Sequence, residues 1–209
     1  MTIRWYFDFI SPFAYLQRPR VRALAKQHAI EYRPVLFAAI LDRLDRKGPA
    51  EMPEKRRFTY RHVVWRARDA GIPLRFPPAH PFNPLAALRL CIAAGCTDAA
   101  VDAIFDHLWR DGLRGDDAQS LAPVAAHLGL DVATAIADPA VKARLQRNSE
   151  AAVADGVFGV PTFALDGELY WGEDATAMFE DRLRDPAAFE AGEMARVGDL
   201  PIGVERARR

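Results

Sequence analysis

The spacing of apolar residues changes from strand-like to helical and back within the first 35 residues. Residues 3–9 alternate aromatic and aliphatic side chains with polar ones, residues 12–28 place apolar side chains at helical intervals, and residues 31–35 are again extended in pattern. A strand, a helix and a second strand form a βαβ unit, whose strands should be parallel and whose crossover should be right-handed. Ser11 then lies outside the carboxyl end of the first strand, where ligands bind in such sheets.

The middle of the chain predicts only helices. From about residue 41 to residue 147, charged and alanine-rich segments are punctuated by Pro and Gly, with almost no β-branched alternation. Caps and glycine breaks predict five helices in and just beyond this block, over residues 53–70, 84–94, 97–110, 120–128 and 139–156.

The last part of the chain begins with a hairpin signal. Extended segments at residues 162–165 and 168–171 flank Asp166-Gly167, a dipeptide typical of a tight hairpin turn. A final helix is predicted over residues 175–184. The tail after it has mixed charge and no clear period, so no element is predicted there.

Strands at both ends around a helical middle predict a sheet domain that is interrupted by an insertion. A lone hairpin is marginal in water, and the only other predicted strands lie near the N-terminus. We therefore predict an α/β fold with three parts, namely a thioredoxin-like domain over residues 1–40 and 148–184, an inserted all-helical domain over residues 41–147, and a C-terminal tail over residues 185–209.

Charge and composition narrow the class of ligand. Lys and Arg together number 28, and so do Asp and Glu, which leaves no basic field for nucleic acid or acidic lipids. The sequence shows no secretory signal and no run long enough to span a membrane, so we expect a cytoplasmic protein. Cys91 and Cys96 match neither a redox nor a zinc spacing, and we predict buried thiols and no metal site. A small neutral or anionic ligand is expected.

Ser11 and Pro12 mark the point where the first strand changes into a helix. The first N–H groups of a helix lack intrahelical partners, and the macrodipole is positive there, so an anion beside Ser11 would be stabilised. Pro12 fits the first helical position, where its missing N–H costs nothing. An ordinary serine N-cap explains the same residues. A second segment, residues 159–163, favours the functional interpretation.

Four segments, in this order along the chain, resemble the 2-hydroxychromene-2-carboxylate isomerases. They are Phe-Asp-Phe-Ile-Ser-Pro-Phe-Ala-Tyr-Leu at residues 7–16, Pro-Val-Leu-Phe at 34–37, Phe-Gly-Val-Pro-Thr-Phe at 158–163 and Trp-Gly-Glu-Asp at 171–174. That family is related to kappa-class glutathione transferases and to DsbA-like thioredoxin-fold proteins. The resemblance covers about the first 184 residues and implies a DsbA-like fold.

The resemblance assigns the catalytic role to Ser11. Ser11 and Ala14 stand where DsbA-like oxidoreductases keep two cysteines, so dithiol exchange is excluded at this site. In the isomerase and kappa families the sulfur comes from glutathione, which implies glutathione as the cofactor and a hydrogen bond from Ser11 to its thiolate. Pro161 is expected to be cis. The implied glutathione-binding residues are Ser11, Lys55, Val160, Pro161, Thr162, Glu173 and Asp174.

A planar substrate would need an apolar slot, for which we predict Phe13, Phe37, Tyr60, Trp65, Phe82 and Asn83. Core aromatics, a surface lysine and a dipole-favoured acidic residue are the simpler interpretations of these side chains and of Lys55 and Asp174. We expect structural roles for His62 and His80. The chain departs from the family at His62, Trp65 and Ala175, which leaves the substrate open.

The resemblance implies a glutathione-dependent isomerase that interconverts a hydroxychromene carboxylate and a benzylidenepyruvate-like keto acid in aromatic catabolism. Relatives of this kind are usually homodimers. Two alternatives stay open, a kappa-type glutathione transferase or peroxidase and a non-catalytic thioredoxin-fold binding protein.

Overall fold

A four-stranded mixed sheet joins the two ends of the chain. The computed structural model describes residues 2–204, and its strand order is β2-β1-β3-β4. The strands are β1 Ile3–Phe7, β2 Ile30–Pro34, β3 Thr162–Leu165 and β4 Glu168–Trp171. β1 and β2 pair in parallel, as the βαβ prediction requires, and β3 pairs antiparallel with both β1 and β4. The predicted hairpin is confirmed, with positive φ angles at Asp166 and Gly167.

Ten α-helices surround the sheet in the described part of the chain. They are α1 Pro12–Ala25, α2 Phe37–Arg43, α3 Pro53–Asp69, α4 Leu85–Ala93, α5 Asp98–Phe105, α6 Ala118–His127, α7 Val132–Ala137, α8 Pro139–Ala154, α9 Thr176–Arg184 and α10 Gly192–Gly198. α5 continues as a π-helical segment, Asp106–Arg110, and short 3₁₀ helices lie at Pro49–Glu51 and Pro186–Phe189. Within residues 2–204, no helix is both long enough and apolar enough to cross a membrane.

The predicted helices are confirmed to within a few residues, and the shortest ones were missed. α2 and α7 have only seven and six residues, which is too short for a helical period to show. In the tail, where no element is predicted, Asp185 caps the 3₁₀ helix at Pro186–Phe189 and α10 follows. Residues 205–209 of the predicted tail lie outside the described residues.

The alternation of β1 sends its side chains to two apolar clusters. Trp5 and Phe7 stack at 4.2 Å on one face and join a cluster that continues into α1 and α4–α6. Tyr6 faces the other side, with Val35 and Ile40. The aromatic side chains of β1 are fully buried, and each contributes on the order of 2–3 kcal/mol by burial. The well-packed sheet therefore supports the loop that follows β1. The boundaries of the inserted domain stay a prediction.

Candidate active site

Ser11 caps α1 in the described structure. Its Oγ accepts a hydrogen bond from the Ala14 N–H at 3.3 Å, and Pro12 occupies the first helical position. The Ser11 hydroxyl donates to the Val160 carbonyl at 3.4 Å, a long and therefore weak bond. Ser11 is 7% exposed and has no acidic residue in the following turn. An anion that reached this hydroxyl would meet the positive end of α1 and a donor that is easily redirected.

The loop before β3 faces Ser11. The Val160–Pro161 peptide bond is cis, as the resemblance implies. The Pro161 carbonyl accepts from the Gly172 N–H at 2.9 Å, whereas none of the backbone hydrogen bonds among residues 2–204 uses the Val160 N–H. The indole of Trp171 lies so close to Gly159 that a β-carbon there would overlap it. The structure thus brings Ser11, Val160 and Pro161 together and leaves a backbone donor at their edge.

Asp8 holds the loop between β1 and α1, and the sequence predictions missed it. One carboxylate oxygen accepts from the Ile10 N–H at 3.1 Å, and the other accepts from the Phe37 N–H at 2.9 Å. The side chain is fully buried. Burial raises the pKa of Asp8 to about 7, while hydrogen bonds from the backbone N–H groups of Phe37, Ile10 and Phe9 oppose the shift. An acidic residue between buried aromatics was the signal that could have revealed it.

Two side chains from the helical part of the chain hold carbonyl groups of the same loop. Trp109 donates its indole N–H to the Phe9 carbonyl at 2.8 Å, and the Nε2 of His80 lies 2.8 Å from the Ile10 carbonyl. His80 carries no spacing signal in the sequence, because it lies 70 positions from its partner. His80 therefore contacts the residue that precedes Ser11, and its expected structural role would be to hold this loop.

The loop between β4 and α9 is held by Gln17. Its amide accepts from the Trp5 indole N–H at 2.7 Å and donates to the Gly172 carbonyl at 3.2 Å and to Thr176 Oγ1 at 2.9 Å. Gln17 is fully buried, and three of its four amide hydrogen-bonding sites are used. These bonds tie Gly172 and Thr176, the residues on either side of this loop segment, to α1.

The predicted glutathione-binding residues outside the serine site differ in how free they are. Glu173 is 12% exposed in its side chain and pairs with Arg66 at 2.5 Å. Asp174 is exposed, with its carboxylate folded over Gly172. The Thr162 hydroxyl donates to the Gly159 carbonyl at 2.7 Å, and Lys55 is exposed on α3. Of these side chains, Asp174 and Lys55 have the greatest access to a ligand.

The predicted substrate residues fall into separate groups. Phe13 lies 6.0 Å from the ring of His62, which stacks on Trp65 at 6.1 Å, so an aromatic row extends from the serine site along α3. Tyr60 and Phe82 instead surround His80, at 5.3 and 6.0 Å.

The two remaining predicted substrate residues lie apart from that row. Phe37 packs against the apolar cluster on the second face of the sheet. Asn83 is exposed and accepts from the Leu85 N–H at the start of α4. These contacts do not place the six predicted substrate residues around a single slot. Cys91 and Cys96 are buried, as predicted, and burial raises the pKa of the Cys91 thiol.

The chain is similar in sequence to known proteins of one family. Residues 2–184 match the family model described as a DSBA-like thioredoxin domain. The chain is 31% identical to a 2-hydroxychromene-2-carboxylate isomerase of Pseudomonas putida over 192 residues, which cover 88% of this chain and 94% of the relative. It is 25% identical to glutathione S-transferase kappa 2 of Caenorhabditis elegans, covering 88% and 92%.

A solved 2-hydroxychromene-2-carboxylate isomerase has a similar fold. It superimposes with a TM-score of 0.76 at 27% identity, covering 92% of this chain and all of that one.

Proposed function

The chain belongs to the DSBA-like thioredoxin family and, within it, to the 2-hydroxychromene-2-carboxylate isomerases, and on this premise we propose that it is a glutathione-dependent isomerase. Its substrate would be a 2-hydroxychromene-2-carboxylate or a similar aromatic keto acid. The observation that carries the proposal is the Ser11 hydroxyl at the N-terminus of α1, opposite cis-Pro161, with Ala14 where a second thiol would stand. Homodimer formation and a cytoplasmic location stay predictions.

The residues present fit glutathione. The free N–H of Val160 and the weakly engaged carbonyl beside it suit backbone pairing with a cysteinyl unit, and exposed Asp174 suits an amino group. The chemistry that glutathione supplies when bound is nucleophilic addition to a conjugated double bond and its reversal, which lets that bond rotate while it is single. Ser11 would donate its hydroxyl hydrogen to the sulfur, and the dipole of α1 would favour the thiolate.

The aromatic row would hold the planar part of the substrate. Phe13 begins this row two residues after Ser11, and His62 and Trp65 continue it. Offset stacking on such rings orients a flat molecule and keeps water from one of its faces. Arg61 is exposed on the same side of α3 and would meet a carboxylate.

A Ser11→Ala variant tests the proposal. Loss of a hydrogen bond to a charged sulfur should lower the turnover of 2-hydroxychromene-2-carboxylate by about 10- to 100-fold, because such bonds contribute roughly 1.5–3 kcal/mol. The assay follows substrate absorbance with and without millimolar glutathione. Thr97→Ala is the matched control, since Thr97 caps α5 in the same way but lies outside the site. Equal activity of the two variants, or activity independent of glutathione, would refute the mechanism.

A kappa-type transferase is the second candidate, and the kappa relative supports it. An isomerase consumes no glutathione over many turnovers, whereas a transferase consumes one molecule per turnover. Measuring free thiol during the same assay separates the two. If glutathione also fails to raise the thermal midpoint of unfolding, both enzyme hypotheses are weakened and the alternative of a non-catalytic binding protein is favoured.

A further inference from the structure

A chain of hydrogen bonds runs from the surface of α3 to the peptide group of Ser11. The Arg56 Nε lies 3.1 Å from the Tyr60 hydroxyl, which lies 2.7 Å from Nδ1 of His80. The Nε2 of the same imidazole lies 2.8 Å from the Ile10 carbonyl. The side chains of Arg56, Tyr60 and His80, here called the relay, thus end on the carbonyl oxygen of the peptide group that contains the Ser11 nitrogen.

The donors and acceptors of the relay match a neutral imidazole. The Ile10 carbonyl can only accept, so Nε2 carries a hydrogen and Nδ1 is left as an acceptor for the Tyr60 O–H. Arg56 then donates from Nε to the Tyr60 oxygen and from Nη2 to the His80 carbonyl at 2.8 Å. In this arrangement the Tyr60 oxygen and both ring nitrogens of His80 have partners, and the bonds from Arg56 Nε through Tyr60 and His80 lead to the Ile10 carbonyl.

Protonation of His80 would require the relay to change its bonds. Nδ1 would then become a donor, and the Tyr60 O–H would have to turn to the His80 carbonyl, which lies 2.7 Å away and already accepts from Arg56. The charged and titratable groups that face the ring are Arg56 and Tyr60, and its other neighbours are aromatic, namely Phe76, Phe82 and Trp109. Burial, assisted by the positive charge of Arg56, lowers the pKa of His80.

We propose that the relay positions the active-site serine, with neutral His80 holding the Ile10 carbonyl so that Ser11 keeps its place against Val160. The Ile10 carbonyl and the Ser11 N–H belong to one peptide group, and that N–H donates to the Asp8 carbonyl at 3.0 Å. Hydrogen bonds in series polarise and strengthen one another. His80 and Tyr60 are positioning residues in this scheme, which rests on the proposed role of Ser11.

The kinetic test separates the donor from the ring. His80→Gln keeps an amide donor in reach of the Ile10 carbonyl, whereas His80→Leu keeps bulk only. At pH 8 we expect His80→Leu to lower kcat about five- to tenfold with little change in the KM for glutathione, and His80→Gln to recover to within about twofold. The part of the acid-side decrease of kcat that comes from protonation of His80 should be absent in His80→Gln, whose amide does not titrate.

The control is a histidine with the same kind of bond elsewhere. His107 is buried and pairs its Nε2 with the Arg114 carbonyl at 2.7 Å, away from the loop. His107→Leu and His107→Gln should change kcat by less than about twofold. The proposal is overturned if the two His80 variants have equal kcat, or if both resemble the His107 variants.

A measurement by NMR tests the relay without depending on enzyme activity. In ¹⁵N NMR of the unmodified protein, His80 should be the Nε2–H tautomer, and the chemical shift of the Ser11 amide should change when His80 is protonated. Tyr60→Phe should alter both the signals of the His80 ring and the shift of the Ser11 amide. If the Ser11 amide shift responds neither to protonation of His80 nor to Tyr60→Phe, the relay is overturned, even if the protein is an isomerase. A Ser11 amide that follows His80 in a protein without isomerase activity refutes the proposed function and leaves the relay intact. This measurement also covers the case in which a His80 variant does not fold.

Discussion

Replacing Asp8 with asparagine should remove a large pH dependence from the stability of this protein. Asp8 is fully buried between the β1–α1 loop and α2, and its folded pKa is raised from 3.8 to about 7. A raised carboxyl pKa means that the folded protein holds a proton that the unfolded chain has released. The resulting stability is complete below about pH 4 and is lost as the pH rises toward 7.

The size of the effect follows from the two pKa values. They differ by about three pH units, and each unit corresponds to 1.36 kcal/mol, so ionised Asp8 lowers the free energy of unfolding by about 4 kcal/mol above pH 7. Asparagine has nearly the shape of a protonated carboxyl, but its NH2 group cannot accept from the second of the two backbone N–H groups, which costs roughly 1–3 kcal/mol. Asp8→Asn should therefore be less stable than the unmodified protein near pH 4.5, and its stability relative to the unmodified protein should rise by about 3 kcal/mol between pH 4.5 and 8.

Urea unfolding at a series of pH values measures this effect. His80 titrates with the opposite sign, because its folded pKa is lowered, so stability from His80 is gained as the pH rises toward 6.5. Subtracting the Asp8→Asn curve from that of the unmodified protein removes this contribution and isolates Asp8. Asp166→Asn is the control, since Asp166 is exposed in the hairpin turn and asparagine tolerates its positive φ.

The absence of this pH dependence would refute the reasoning. If the stability of the unmodified protein relative to Asp8→Asn does not fall between pH 4.5 and 8, the folded pKa of Asp8 is not raised. The hydrogen bonds from the backbone N–H groups would then offset or outweigh burial. The experiment therefore decides which of two opposing effects controls the loop that carries Ser11.

Two further predictions concern the loop between β4 and α9. Gln17→Leu leaves the Trp5 indole N–H and the Gly172 carbonyl without partners, so it should lower the free energy of unfolding in urea by about 3 kcal/mol. Gln146→Leu, at an exposed position, should have little effect. Equal losses in the two variants would contradict the role assigned to Gln17. Glu173→Gln should change the Kd for glutathione less than twofold in calorimetry, because Arg66 occupies that carboxylate, while Asp174→Asn should raise the Kd about fivefold; the reverse order would exclude Asp174 as the ligand.

Much of the fold could be predicted because its signals are local. The Asp-Gly turn lies between two short strands, and its positive φ angles are ones that Asp and Gly adopt readily. Ser11 caps α1 through a bond that spans three residues, and the period of β1 separates its two faces. Helices such as α7 escaped prediction because six residues do not complete two turns.

The sequence by itself determined the strands, most helices, the position of Ser11 at a helix N-terminus and the absence of a thiol at residues 11 and 14. Only the tertiary structure decided what holds that serine. The Ile10 carbonyl meets His80 across 70 positions, and Gln17 meets Gly172 across 155. Such pairs depend on how helices separated by loops pack on one sheet, and loop closure depends only weakly on loop length. Spacing along the chain therefore carries no record of these pairs, and only the packed structure could reveal them.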